Sequence, residues 1–285
     1  MLGVTKGDRS FRFPFALSLS KGGRRPRPFD KLRASGGLDR LRMITPVDAA
    51  RPGKMHPIGV RRIPSTSRFP TDDMPEGPEI HRAAARVRSA VEGRTLTDVV
   101  VAFERLEDPA SRWIGRPVDR VWARGKALLV DIDAWTIYTH NQLYGRWYVK
   151  KPGERPDTRR SLRLGLCTDH RDALLYSASD IEAWPRESIN EHPYIARLGV
   201  EPLAETVDVD AVAAHVLGDR FRNRNLAGLL LDQGFVAGIG NYLRSEILFV
   251  AGVHYRARTR DLTDATRDAL VEAIYDITQR AYDQR

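Results

Sequence analysis

The sequence is poor in cysteine, because Cys167 is the only one in 285 residues. A single cysteine excludes an intramolecular disulfide, and it excludes a cysteine-rich zinc site built from this chain alone. Long apolar runs are also missing, since no stretch approaches the roughly 20 apolar residues that a membrane-spanning helix needs. The default expectation is therefore a cytoplasmic protein without membrane contact and without a cysteine-rich zinc site.

Most of the chain also lacks an excess of positive charge, although the formal net charge is +9. Residues 1–73 contain 16 Lys and Arg against 6 Asp and Glu, whereas the remainder contains 30 against 31. All of the excess lies in the first 73 residues, so the high isoelectric point does not describe the rest. Any argument for a nucleic-acid partner must depend on where individual charges lie.

Residues 1–73, called the leader below, are rich in Arg, Pro, Gly and Ser and show no sustained hydrophobic period. Such a composition predicts disorder. Our hypothesis is that the leader is an upstream mis-start and that synthesis begins at Met74. The rival interpretation is a genuine basic arm that binds nucleic acid. The mass of the native N-terminus distinguishes the two.

Residues 74–80, with the sequence MPEGPEI, read as the true beginning of a protein. If the initiator methionine were removed, Pro75 would expose a secondary amine, which can condense with a sugar aldehyde to give a Schiff base. In the chain as given, that nitrogen belongs to an amide and cannot react in this way. The Gly-Pro pair at 77–78 suits the first turn of a helix, whose partial positive charge would lower the pKa of the amine. A proline-capped surface helix is the plainer alternative.

Short segments of strand character follow this helix and are separated by Gly, Pro, Asp or Arg turns. They cover residues 96–102, 118–121, 127–132, 135–140, 146–149, 161–168 and 173–177. Their spacing is typical of an antiparallel sandwich or barrel. From about residue 188 the apolar spacing becomes helical, which predicts helices over 210–217, 225–233, 242–251 and 263–282. Glycines at 218, 234 and 252 stand where helix C-caps are expected.

A glycine-rich turn lies between two of these predicted helices, at residues 233–242. Gly238 and Gly240 would let the backbone approach a ligand closely. Asn241 could cap the next helix, and the N–H groups at that helix N-terminus would form a natural cradle for a phosphate. An ordinary helical hairpin turn is the alternative interpretation.

Two further strings fall at predicted strand junctions. Lys126 follows Arg-Gly in a turn, where a lysine is usually solvated. Gln142, Leu143 and Tyr144 place an amide, an aliphatic side chain and an aromatic ring at a loop tip. Such a tip could enter a base stack and fill the space left by an extruded base. It could equally be a loop whose Leu143 fills the protein core.

Taken together, five strings resemble the formamidopyrimidine-DNA glycosylase/endonuclease VIII family of base-excision repair enzymes. They are MPEGPEI at 74–80, RGKALL at 124–129, HNQLYG at 140–145, YSASDI at 176–181 and the glycine turn at 234–242. The resemblance covers residues 74 to roughly 256. It implies an α+β fold: an N-terminal antiparallel β-sandwich with an opening helix over 74–187, then an all-α helix-two-turn-helix domain over 188–285. Damaged double-stranded DNA would bind between the two domains of a monomer, associated with the bacterial nucleoid.

The resemblance also implies a role for each matching catalytic residue. Pro75 is similar to the Schiff-base nucleophile that attacks C1′ of the damaged nucleoside. Glu76 is similar to the general acid/base that protonates the sugar ring oxygen, and Glu79 to a supporting carboxylate. Lys126 matches the lysine that contacts DNA beside the lesion and is proposed as a proton donor in β-elimination. The implied activity is a DNA glycosylase with AP lyase activity that nicks DNA by β,δ-elimination.

The same resemblance implies a DNA-binding surface. Gln142, Leu143 and Tyr144 match the wedge that fills the void, in the form typical of the branch that removes oxidised pyrimidines. Arg197 and Asn241 match phosphate contacts, together with the glycine turn. The alternatives are the oxidised-purine branch and, from another class of function, a non-catalytic DNA-binding remnant.

Two features depart from the family. The leader blocks the nitrogen of Pro75, and the C-terminal zinc ribbon with its four cysteines has no counterpart in the sequence. We therefore expect a truncated product that binds no zinc and uses no other cofactor. Even a protein that starts at Pro75 is expected to bind DNA and to cleave strands weakly. Full nicking of a thymine-glycol duplex by residues 75–285 would contradict this expectation.

Overall fold

The first helix, α1, spans Gly77–Val91 in the computed structural model, which describes residues 75–284. Its apolar residues recur every three or four positions, so that Ile80, Ala84 and Val87 all face the core. A proline in the first turn and a capping box between Glu76 and Glu79 fix where the helix begins. The expectations about the leader fall outside the described residues.

Eight strands form two four-stranded antiparallel sheets. The strands are Asp98–Val101 (β1), Arg120–Arg124 (β2), Ala127–Ile132 (β3), Trp135–His140 (β4), Arg146–Lys150 (β5), Leu162–Cys167 (β6), Asp172–Tyr176 (β7) and Asp180–Pro185 (β8). One sheet has the order β1-β6-β7-β5 and the other β2-β3-β4-β8. The predicted β-sandwich is therefore confirmed, and the barrel alternative is wrong.

A core of buried apolar side chains lies between the sheets and under α1. It includes Trp113, which is 1% exposed and belongs to a short helix, α2 (Glu107–Trp113), that the sequence pattern did not predict. Strand β8 was also missed. It is an edge strand that presents only Ile181 and the small Ala183 to the core and ends at a proline, so its apolar signal is weak.

Four helices form the second half of the described chain. They are α3 (Val209–Val216), α4 (Leu226–Leu229), α5 (Asn241–Val250) and α6 (Asp264–Asp283). Helix α4 is shorter than predicted, because a turn around Asp232 ends it early: the Asp232 carboxylate accepts the N–H of Gly234. Of the three predicted C-cap glycines, Gly252 alone has a left-handed backbone, with φ +64. Among the described helices, none is both long and apolar enough to cross a membrane.

Candidate active site

The carboxylate of Glu76 lies at the N-terminus of α5, where the sequence predicted a phosphate cradle. It is buried, at 4% exposure, and it accepts the backbone N–H groups of Gly240 at 2.6 Å, Tyr242 at 2.9 Å and Leu243 at 3.3 Å. The prediction that these N–H groups hold a phosphate is therefore wrong, because a side chain of the protein occupies them. The prediction of Asn241 as the cap is also wrong: Gly240 is the N-cap residue, and Glu76 satisfies the N–H groups.

The glycines of this turn allow the segment that carries Glu76 to approach α5. Gly77 donates its N–H to the carbonyl of Gly238 at 2.8 Å. A Cβ atom on Gly240 would lie 2.3 Å from the carboxylate of Glu76, and Gly238 has a left-handed φ of +92. The close approach that the sequence predicted is thus made by residues 76–77. Contact of these glycines with DNA stays a prediction.

Burial raises the pKa of Glu76 above its usual range. The backbone donors of α5 and the charge of Lys126 oppose this shift without cancelling it. A raised pKa increases the protonated fraction near neutral pH, as a general acid requires. Glu76 is therefore both fixed in place and able to carry a proton.

Glu79 accepts hydrogen bonds from three directions beside Glu76. Its carboxylate accepts the backbone N–H of Glu76 at 3.0 Å, the guanidinium of Arg82 at 2.5 Å and the phenol O–H of Tyr242 at 3.1 Å. Pro75 is partly exposed immediately before Glu76. The structure thus brings Pro75, Glu76 and Glu79 together at one end of α1, as the sequence predicted.

Lys126 lies in the turn between β2 and β3. Two polar contacts hold this turn: Lys126 donates its backbone N–H to the hydroxyl of Tyr194 at 2.8 Å, and Gly125 donates to the buried carboxylate of Glu201 at 2.6 Å. Burial lowers the pKa of Lys126, although the nearby carboxylates of Glu76 and Glu79 oppose the shift. The lysine is therefore close enough to both carboxylates for their charges to act on it.

Sequence reasoning missed Glu201 and Tyr194. Glu201 is 3% exposed and joins three segments, because its carboxylate also lies 3.0 Å from Arg124 and 2.8 Å from His81. It belongs to the segment between the sandwich and the helices, where a single glutamate gives no pattern. Only the folded arrangement shows that this segment holds the turn of Lys126.

The predicted wedge projects from the surface beside Lys126. Ala127 pairs with His140 in the sheet, so the turn of Lys126 and the loop at 141–145 lie at the same edge. Leu143 is 52% exposed and Tyr144 is 67% exposed. The alternative in which Leu143 fills the core is therefore wrong.

The base of this loop is held in a tight turn. Gly145 donates its N–H to the carbonyl of Asn141 at 2.7 Å, and a Cβ on Gly145 would lie 2.6 Å from that backbone. Gln142 has a left-handed φ of +50 and donates its N–H to Nδ1 of His140 at 3.1 Å. Its side-chain oxygen accepts the hydroxyl of Ser179 at 2.9 Å. Hydrogen bonds therefore order the base of this loop, while Leu143 and Tyr144 at its tip stay exposed.

His140 accepts that hydrogen bond as a neutral imidazole. Burial, together with the positive charges of Lys126 and Arg197, lowers the pKa of His140 to about 4. Arg197 is exposed, with its guanidinium 5.3 Å from the ring centre of Tyr194. Asn241 is exposed in the first turn of α5. Both predicted phosphate contacts therefore face solvent.

The described residues do not fit the zinc ion that the family resemblance implies. No group of three or more His, Cys, Asp or Glu side chains in residues 75–284 could hold a metal ion. Cys167 is buried at the end of β6. The expectation that the whole chain uses no zinc stays a prediction.

Comparison with known proteins places this geometry in a family. Residues 74–179 match the profile of the formamidopyrimidine-DNA glycosylase N-terminal domain, and residues 198–285 match the profile of the H2TH domain of the same glycosylase. Endonuclease 8 of Escherichia coli strain 536 is 48% identical over 213 residues, which are 74% of this chain and 81% of that protein. The chain belongs to the formamidopyrimidine-DNA glycosylase family. Members of this family are DNA glycosylases with AP lyase activity, as the sequence predicted.

A second endonuclease 8 and a solved structure are also similar to this chain. Endonuclease 8 of Escherichia coli strain UMN026 is 47% identical over the same length. The fold resembles that of Lactococcus lactis Fpg in a complex with abasic-site DNA, with a TM-score of 0.62 over 73% of this chain and 78% of that chain, at 19% identity. The predicted fold class is thereby confirmed. The oxidised-purine branch is not better supported than the endonuclease 8 branch.

Proposed function

We propose that this chain, when Pro75 is its first residue, removes oxidised pyrimidines from double-stranded DNA and then cleaves the strand by β,δ-elimination. The observation that carries this proposal is the buried carboxylate of Glu76, which three backbone N–H groups of α5 fix next to Pro75. Electrostatic preorganisation of this kind is expected where charge develops during a reaction. Family membership supports the reaction class.

The proposed reaction begins at the sugar of the damaged nucleotide. The nitrogen of Pro75 bonds to C1′ as the bond between C1′ and the base breaks, and the base leaves with the proton of the amine. Glu76 in its acid form then donates a proton to the ring oxygen O4′, the bond between C1′ and O4′ breaks, and the lone pair of the nitrogen forms the C1′=N bond of an iminium. The resulting iminium acidifies the C2′ proton, so a base can remove it while the 3′ phosphate leaves. Lys126 is the candidate for proton transfer at this stage, because burial lowers its pKa and the charges of Glu76 and Glu79 act on it. A second elimination releases the 5′ phosphate, and water hydrolyses the Schiff base.

The exposed wedge supports double-stranded DNA as the partner. A base must leave the stack before its C1′ can reach Pro75, and the side chains that fill its place must be free to enter the duplex. Leu143 and Tyr144 are exposed on an ordered loop next to Lys126. Phosphate contacts by Arg197 and Asn241, action as a monomer at the bacterial nucleoid and catalysis without a cofactor belong to the same proposal.

The effect of Glu76→Gln on a thymine-glycol duplex and on a preformed abasic duplex tests the proposal. The variant is made in protein expressed from Met74, and intact mass confirms that Pro75 is the first residue. We expect base excision to fall at least about a hundredfold, because the acid is lost, while much of the nicking at abasic sites survives. Equal loss on both substrates, or no loss on either, would contradict the role of Glu76.

A second candidate function follows from the chain as it stands. While residues 1–74 remain attached, the nitrogen of Pro75 is an amide and forms no Schiff base. This observation favours a DNA-binding protein without lyase activity. The test compares the full-length chain with protein that starts at Pro75 on abasic DNA. If both bind the DNA and only the Pro75-start protein nicks it, the second function belongs to the full-length chain.

A further inference from the structure

Tyr242, the second residue of α5, contacts both carboxylates of the candidate site. Its backbone N–H donates to Oε1 of Glu76 at 2.9 Å, and its phenol O–H donates to Glu79, with 3.1 Å to Oε1 and 3.2 Å to Oε2. The backbone contact is open to any residue except proline, whereas the second contact requires a hydroxyl. Nothing in the sequence pattern distinguished this tyrosine.

Glu79 links the phenol of Tyr242 to the peptide that joins Pro75 and Glu76. The oxygen Oε2 of Glu79 also accepts the backbone N–H of Glu76 at 3.0 Å. The peptide that contains this N–H carries Pro75 on its other side, so a shift of Glu79 moves the prospective nucleophile. Burial and the negative charges of both carboxylates raise the pKa of the Tyr242 phenol. The phenol therefore stays protonated and acts as a donor at neutral pH.

Arg82 fixes Glu79 from the opposite side. Its guanidinium pairs with Glu79 at 2.5 Å and donates to backbone carbonyls at the end of α6, including those of Tyr282 at 3.0 Å and Gln284 at 3.2 Å. A cation suits the C-terminal end of a helix, where carbonyl groups lack partners. Glu79 is thus the point at which the start of α1, the start of α5 and the end of α6 meet.

We propose that Tyr242 is a positioning residue for base excision, acting through Glu79 on the peptide that joins Pro75 and Glu76. This inference rests on the proposed function. Tyr242 is 38% exposed, so water can replace Glu79 as the partner of the phenol, and we expect folding to proceed without this contact. Its effect should therefore fall on the rate of excision more than on stability or on affinity for DNA.

Four Pro75-start proteins test the inference: unsubstituted, Tyr242→Phe, Glu79→Gln and the double variant. Single-turnover excision is measured on a thymine-glycol duplex, and affinity on a duplex with a tetrahydrofuran abasic analogue. Loss of a hydrogen bond to a charged group predicts roughly a tenfold slower excision in Tyr242→Phe. Affinity should change less than about threefold, and the double variant should be no slower than Glu79→Gln alone, because the two side chains act as a unit.

The matched control is Tyr275→Phe, which removes a phenol from the middle of α6 and should leave excision unchanged. Excision by Tyr242→Phe at the unsubstituted rate, or effects of the two single variants that multiply, would overturn the inference alone. If Tyr242→Phe melts far below the control, excision by all the proteins is compared at a temperature at which each is fully folded; a rate for Tyr242→Phe equal to that of the unsubstituted protein there would contradict the role. No excision and no lyase activity by the unsubstituted protein would overturn the proposed function together with this inference.

Discussion

Substitution of Gly240 by alanine should expel Glu76 from the N-terminus of α5. The added Cβ would lie 2.3 Å from Oε1 and Cδ of Glu76 and 2.7 Å from its Cγ, distances at which the carboxylate must move. Its departure breaks three hydrogen bonds from backbone N–H groups and leaves those donors at a buried helix end. Since each bond to a charged acceptor stabilises by about 1.5–3 kcal/mol and the three are not additive, we expect a loss of about 3–5 kcal/mol in the free energy of unfolding.

Urea unfolding of the full chain, followed by tryptophan fluorescence, measures this loss. Gly252→Ala is the matched control, because Gly252 has a left-handed φ of +64 but nothing within 4 Å of the position that an added Cβ would take, so it should cost only about 1 kcal/mol. In a Glu76→Ala background the clash disappears, and Gly240→Ala should then cost about 1 kcal/mol as well. This prediction is wrong if Gly240→Ala lowers the free energy of unfolding no more than the control does, or if it lowers it equally in the Glu76→Ala background. Either result would mean that the carboxylate of Glu76 does not bind the N-terminus of α5.

Three further predictions follow from the same geometry. Burial lowers the pKa of His140 to about 4, so its imidazole stays neutral in the folded protein near neutral pH. Its contribution to the free energy of unfolding is therefore complete above pH 6.5, the ordinary pKa of histidine, and is lost as the pH falls towards 4. An NMR titration of His140 with a midpoint near 6.5 would contradict this. Leu143→Ala should change the free energy of unfolding by less than about 0.5 kcal/mol, like Ile114→Ala at similar exposure, yet only Leu143→Ala should slow excision. Glu201→Ala should cost about 3 kcal/mol or more, because it leaves the buried N–H of Gly125 and its charged neighbours unpaired; a cost under about 1 kcal/mol would count against this network.

The local patterns of the sequence predicted most of the fold. Apolar spacing placed α1, α3, α5 and α6 within a residue or two of their positions, and apolar runs placed seven of the eight strands. Strand β8 and helix α2 were missed for a shared reason: each presents only two apolar residues to the core, Ile181 and Ala183 on β8 and Ala110 and Trp113 on α2. Long-range burial determines such elements, and a local pattern does not contain it.

The candidate site was predicted in its members but not in all its contacts. The MPEGPEI string identified Pro75, Glu76 and Glu79, because a proline next to carboxylates at a helix start is a chemical signal in itself. The partner of the α5 N-terminus was predicted wrongly as phosphate. Residues 76 and 240 are far apart in sequence, and only folding shows that a carboxylate reaches those N–H groups before any ligand. Glu201 and Tyr242 could not be predicted, since each acts through contacts between distant segments.

Borohydride trapping on an abasic duplex tests the central claim most directly. Protein that starts at Pro75 is incubated with the duplex and reductant, and peptide mass spectrometry locates the adduct; the full-length chain, with its blocked nitrogen, serves as the control. The account predicts a covalent adduct on the nitrogen of Pro75 and none in the control. An adduct on Lys126 or another lysine, or no adduct while the protein still binds the duplex, would contradict it.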